Sequence, residues 1–200
     1  MANLVGKRSI LWKYILALCS IVILSTSFKQ SDDQKIWDTN SPLTWDDFKG
    51  MEKDKKFDSE TKSNTFIGEP YKYKRLGSDS NSYVFEFQVR SVMVRSKSWV
   101  DPASKTPSLL AHEQLHFDIS EYFARQLLLA FRNATYSHNF INEIKDIRHK
   151  LSVQRTTMEN LYDEQTVHSQ NAHMQSKWNV YVQSLLQTNE SLENALKKLP

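Results

Sequence analysis

One cysteine occurs in 200 residues, Cys19, inside an apolar stretch near the start. No disulfide can brace the chain beyond it, so the body must be held by its core or by a metal. A surplus of one charge is missing as well. Lys plus Arg number 26 and Asp plus Glu 23, and three of the basic residues, Lys7, Arg8 and Lys13, lie in the first 27 residues with no acidic partner. The remainder therefore holds 23 of each sign. Binding of nucleic acid through a basic surface finds no support in that balance, because no cationic excess is left to neutralise phosphates. Long apolar runs are lacking too. The uncharged stretch YILALCSIVIL, residues 14–24, is 11 residues long, short of the ~18 or more that a membrane-spanning helix needs. The sequence has no internal repeat and no low-complexity segment.

What is present at the start is the three-part pattern of an export signal. Basic residues precede the apolar run, and Ser25 to Ser27 then supply small side chains. Residues 1–27 are the expected signal peptide. The protein is accordingly expected in the periplasm, the cell envelope or outside the cell, with no stable membrane insertion once the signal is removed. A retained anchor is the alternative. Lipidation at Cys19 is disfavoured, since the bulky Leu18 directly precedes it and the apolar run continues to Leu24.

About 170 residues remain, enough to bury a single core. Residues 28–36, FKQSDDQKI, are polar and read as a flexible lead-in. In WDTNSPLTWDDFKG, residues 37–50, Thr44 and Asp47 resemble a capping box, which predicts a short helical turn ended by Gly50. Trp37, Leu43, Trp45 and Phe48 would pack this segment on the body. The charged stretch 51–64 reads as a surface loop. Strands are expected over 65–76 and 83–94, around a turn at 77–82. In the second, Tyr83, Phe85, Phe87, Val89 and Ser91 fall on one face. A helix is expected over 107–131, with Thr106 as N-cap and Pro107 in the first turn. It is apolar on most faces, which marks a central helix. A second helix is expected over 139–162 and a third around Met174, Trp178, Tyr181 and Leu185, with an interruption at 163–169. The last residues would form a further turn or two of helix.

The chemistry lies in the first of these helices. LLAHEQLHFDISEYFARQLLLAF, residues 109–131, contains His-Glu-x-x-His at His112, Glu113 and His116. Residues four apart share a helix face, so both imidazoles can address one ion. Glu113 sits about 100° further round. That places its carboxylate beside the metal, where it can take a proton from an attacking water and pass it to a leaving amine. Zinc suits such a site because it lowers the pKa of bound water to about 7 while keeping a position open. The bland alternative is a packed helix whose histidines bond to carbonyls or carboxylates. A catalytic zinc also needs a third protein ligand. It does not come soon after the motif, where Ile119 and Tyr122 stand. Downstream, Glu159 and Asp163 form a Glu-x-x-x-Asp pair, in which the glutamate would bind metal and the aspartate orient a histidine. His168 and His173 follow. His138 and His149 read as surface residues.

These pieces together resemble the bacterial family 922 of domains of unknown function, described as predicted secreted zinc-dependent proteases. The matching residues are LTWDDFKG near the start, SWV before the motif helix, LLAHEQLHFDISEYFARQL at its centre, and YDEQTVH followed by a helix with Gln175 and Trp178. They span about residues 37–186. Two positions depart from the usual form: Leu115 and Ser169 stand where glycine is common. The resemblance implies His168 as third ligand, with Glu159 as the alternative. It makes Asp163 and Thr166 candidates for orienting the ligands, and Tyr162 a candidate hydrogen-bond donor to a developing oxyanion. Asp118 belongs to the motif and is expected on the helix surface or as a capping partner. It implies a zincin-like α+β fold over 37–200, with a small antiparallel sheet, a central motif helix and a helical C-terminal half. The expected activity is hydrolysis of peptide or protein substrates with one Zn2+ held by His112, His116 and His168. An extended peptide would pair with strand 83–94. The rival reading is a non-catalytic, metal-stabilised binding module of the cell envelope.

Overall fold

The computed structural model describes residues 31–51, 59–60, 63–67, 72–75, 77 and 83–200. The expected signal peptide and most of the turn at 77–82 lie outside these residues. The architecture is α+β, with small antiparallel sheets before a helical C-terminal half.

The central element is one helix, α1 (Pro107–Asn133). Thr106 caps it by accepting the Leu109 N–H on its Oγ1 at 3.1 Å. Pro107 takes the first position, where a missing N–H removes no helix bond. Leu115, Phe117, Ile119, Tyr122, Phe123 and Phe131 are all buried, and they point to different sides of the axis. Three apolar clusters therefore meet on α1. Phe117 joins Leu43 and Met93; Leu127 and Phe131 join Phe87, Tyr136 and Ile144; Leu115, Ile119 and Tyr122 join Met158, Tyr162 and Trp178.

On one side lies a three-stranded sheet. Its strands are β1 (Gln34–Ile36), β3 (Ser63–Ile67) and β6 (Val89–Val94), with β6 in the middle and antiparallel to both neighbours. Ser91 of β6 bonds Ser120 of α1, Oγ to Oγ at 2.8 Å. Two further pairs flank it: β2 (Ser59–Glu60) with β7 (Trp99–Val100), and β4 (Lys72–Arg75) with β5 (Tyr83–Glu86). On the other side are α2 (Phe140–Thr166), α3 (Ala172–Thr188) and the short α4 (Leu192–Leu196). A connection of six residues, 134–139, folds α2 back along α1. The end of α2 thus returns to the start of α1, and α3 then retraces the α1 direction. Gln175 lies at His112, Gln183 at Asp118 and Glu190 at Tyr122.

Several expectations need correction. The polar lead-in does not extend to Ile36, because Gln34–Ile36 pairs with Val92–Val94 of β6. Lys35 is buried there on Asp47, 2.8 Å, a partner twelve residues away that no local pattern announces. The surface loop expected at 51–64 contains β2 and the start of β3. The strand expected over 65–76 is two, β3 and β4. The strand over 83–94 is also two, β5 and β6, in different sheets. Its buried face persists across the break because Phe87 stacks on Phe131 at 4.4 Å. Pairing of a peptide with 83–94 is not available along β6, whose two edges are occupied by β1 and β3. Helix α2 runs four residues beyond 162, so Asp163 is helical. The turn at Thr44 forms as expected, with the Thr44 N–H on Asp47 Oδ2 at 2.9 Å. Gly50 is needed for a different reason: a Cβ there would lie 2.8 Å from the Ser98 carbonyl.

Candidate metal centre

The hairpin of α1 and α2 brings His112 and His116 against Asp163. Asp163 Oδ1 lies 2.8 Å from His116 Nε2 and 3.2 Å from His112 Nε2. One ligand atom from each of the three lies within 4.8 Å of the others. Two imidazole nitrogens and a carboxylate oxygen are a donor set that zinc accepts, at bonds of about 2 Å. The residues present therefore fit the expected metal.

Local charge is strongly coupled here. Burial pulls His116 down, but the hydrogen bond and charge of Asp163 outweigh it, helped by the charges of Glu113 and Glu159. The net effect raises His116 from 6.5 to about 9. Burial pushes Asp163 up, yet bonds and charge from His116 and His112 hold its carboxyl well below the usual carboxylate range.

Glu113 is buried beside the histidines, and Ser59 of β2 donates its hydroxyl to Glu113 Oε1. His112 is fixed on its other nitrogen, with Nδ1 3.1 Å from Gln175 Oε1. Tyr162 stacks on His112 at 4.6 Å and donates its hydroxyl to the same Gln175 oxygen at 2.8 Å.

The expected site residues divide as follows. His112, Glu113 and His116 are brought together. Asp163 joins them, but not as a residue that orients a ligand from behind. Such a partner holds the ring nitrogen turned away from the metal, and for His112 that nitrogen belongs to Gln175. Asp163 faces Nε2, the side an ion would occupy. His168 stands at the rim with its side chain 52% exposed, and its Nδ1 is 3.8 Å from Asp163 Oδ1. Glu159 is turned to Arg155, whose Nε and Nη2 donate to its Oε1 at 3.1 and 3.0 Å. The Tyr162 hydroxyl is buried in the scaffold and committed to Gln175, with burial raising its pKa far above the ordinary phenol. An oxyanion donor must point where charge develops, and this hydroxyl points at an amide. The Thr166 hydroxyl donates to the Tyr162 carbonyl at 2.7 Å and so closes the helix end rather than touching an imidazole. His138, His149 and His173 are exposed.

Asp118 is not on the surface. It is buried and accepts from Trp37 Nε1 at 2.8 Å, Gln114 Nε2 at 2.8 Å and Gln183 Nε2 at 3.0 Å. Burial pushes its pKa up despite these three bonds. It binds the N-terminal segment and α3 to the motif helix. The two departures from the family pattern also find places. Leu115 fills the cluster around Tyr162 and Trp178. Ser169 has φ 76°, following Val167 at 50° and His168 at 49°, a left-handed run in which glycine carries no steric penalty.

Ser59 and the role of Gln175 were not legible beforehand. Ser59 lies in a charged stretch without periodicity. Gln175 stands 63 residues from His112, and only the return of α3 makes them neighbours. Comparison with protein-family models, curated proteins and solved structures finds no match to the chain.

Proposed function

We propose that the chain is an exported zinc-dependent peptidase of zincin-like fold, related to the family it resembles by motif. The observation that carries this reading is the convergence of His112 Nε2, His116 Nε2 and Asp163 Oδ1, with Glu113 beside them on the same helix. His112, His116 and Asp163 would hold the ion, and His168 is the nearby fourth donor. Zinc bound there supplies a Lewis acid that brings the pKa of water down to about 7. Glu113 accepts a proton from the attacking water and returns it to the leaving amine. Ser59 donates its hydroxyl to one oxygen of that carboxylate and so helps to place it. Peptides or proteins are the substrate class; nucleic acid is not.

A second reading keeps the metal and drops the chemistry: a metal-stabilised binding module of the envelope. The burial of Glu113 under Ser59 favours it. One experiment separates the two. Zinc-loaded protein and Glu113→Gln are compared on a broad peptide library, with zinc measured in each. The peptidase reading expects about one zinc per chain in both, and cleavage by the wild type alone. Absence of zinc from the wild type, or equal inactivity with zinc bound, would overturn it.

A further inference from the structure

We infer that Gln175 sets the tautomer of His112 and thereby makes the site ready for metal. The inference rests on the zinc reading above and concerns a residue outside the ligand set. A neutral imidazole carries its proton on one nitrogen only, and the bare nitrogen is the one that binds a metal. His112 therefore needs its proton on Nδ1 if Nε2 is to face the ion. Gln175 Oε1, 3.1 Å from Nδ1, is an acceptor for that proton; Asp163 Oδ1, 3.2 Å from Nε2, competes for it until an ion takes the carboxylate, and Gln175 tips the balance to Nδ1.

The amide could in principle be turned over, which would reverse the demand. With its NH2 toward the ring, Gln175 would need a bare Nδ1 and force the proton onto Nε2. One neighbour opposes that. Gln175 Nε2 donates to Asn179 Oδ1 at 2.9 Å, one turn further along α3. The Tyr162 hydroxyl donates to Oε1 at 2.8 Å. Asn179 draws the NH2 end of the amide along α3, so the acceptor end is turned to His112 and also receives the Tyr162 hydroxyl. Tyr162 also covers the ring face of His112, in a stack at 4.6 Å and 24°, which fixes the plane in which Nε2 points. Thus the tyrosine whose hydroxyl is badly placed for an oxyanion has a use: its ring holds the plane of the ligand. Helix α3 is the element that delivers this, with Asn171 capping its start by accepting the Met174 N–H at 3.2 Å.

Gln175 is a positioning residue, so the test must separate hydrogen bonding from packing. Zinc affinity is measured by chelator competition for the wild type, Gln175→Leu and Gln175→Glu. Leucine keeps the bulk and removes the acceptor. Glutamate keeps an acceptor in both orientations. The Tyr162 hydroxyl does not become an orphan in the leucine variant, because the His112 carbonyl lies 3.2 Å away. The expected result is a loss of roughly 10–100-fold in zinc affinity for Gln175→Leu, and affinity at or above wild type for Gln175→Glu. Ring-nitrogen NMR of the metal-free proteins reads the same point directly: His112 carries its proton on Nδ1 in the wild type and in Gln175→Glu, and moves it to Nε2, toward Asp163, in Gln175→Leu. Unchanged affinity in Gln175→Leu, or equal weakening by leucine and glutamate, overturns the tautomer role while leaving the zinc reading intact. A wild type that takes no zinc overturns both.

Discussion

A carboxylate between two imidazoles can be a stand-in for a metal or a ligand to it, and Asp163 is placed to be both. Without an ion its negative charge keeps a proton on His116, whose pKa rises to about 9. Zinc must displace that proton. Zinc uptake at pH 7 is therefore expected to release about one proton per ion, and affinity to fall as pH drops below about 9; titration in buffers of different ionisation enthalpy measures both. The metal-free pair has the opposite sense. Its contribution to stability is full below the ordinary pKa of 6.5 and is lost as pH rises through about 9. Ligand identity is tested by Asp163→Ala against His168→Ala. The first should lower zinc affinity by more than the roughly 10–100-fold typical of an orienting partner, and by more than the second; the reverse order, read by chelator competition, would restore His168 as the third ligand. Ser169 offers a stability test free of the metal. At φ 76° it pays the left-handed penalty, so Ser169→Gly should gain up to about 1 kcal/mol in urea unfolding. The chemistry-bearing residues His112, Glu113 and His116 were legible because helical spacing is local. Asp163 was visible as a residue but not in its role, since that depends on which face of another helix it meets.

Among the elements, the N-terminal segment depends on two buried charges. Asp47 takes Lys35 Nζ at 2.8 Å and Arg95 Nη2 at 3.0 Å, tying the turn after β1 to the sheet. Burial pushes Asp47 up, but the bonds from Lys35 and the Thr44 N–H, with the charges of Lys35 and Arg95, leave it depressed. Its stabilisation is thus present above the ordinary value of 3.8 and lost as pH falls through the lower folded value. Asp47→Asn should cost about 3 kcal/mol near neutral pH, a deficit that shrinks below about pH 4 when variant and wild type are unfolded in parallel. Asp118 plays the equivalent part between α1, α3 and Trp37. Asp118→Ala strands three donors and should cost about 1–3 kcal/mol, with tryptophan fluorescence reporting release of Trp37. Neither anchor was visible in sequence. Asp47 read only as the capping-box partner of Thr44 and Asp118 as a surface or capping residue, and only their partners, 12 and 48 residues from Asp47 and 81 and 65 from Asp118, explain their burial.

At the scale of the whole molecule, the metal would bridge the two halves of an αα-hairpin at its open end. Zinc at a hundredfold excess over its dissociation constant should add about 2.7 kcal/mol, or roughly 5–10 °C in Tm for a chain of this length. Chelation should reverse it, and His116→Ala should abolish the shift. Among the described residues no helix is long and apolar enough to cross a membrane. The sequence by itself determined the α+β order, the capped motif helix and its two histidines with the glutamate, because capping, period and i, i+4 spacing act within one or two turns. Tertiary structure alone decided the rest. It split the strand over 83–94 between two sheets, turned Asp163 toward the Nε2 atoms and brought Ser59 and Gln175 to the motif. Those outcomes follow from how α2 and α3 fold back on α1, and the free energy of that packing is spread over a buried core with no short sequence signature.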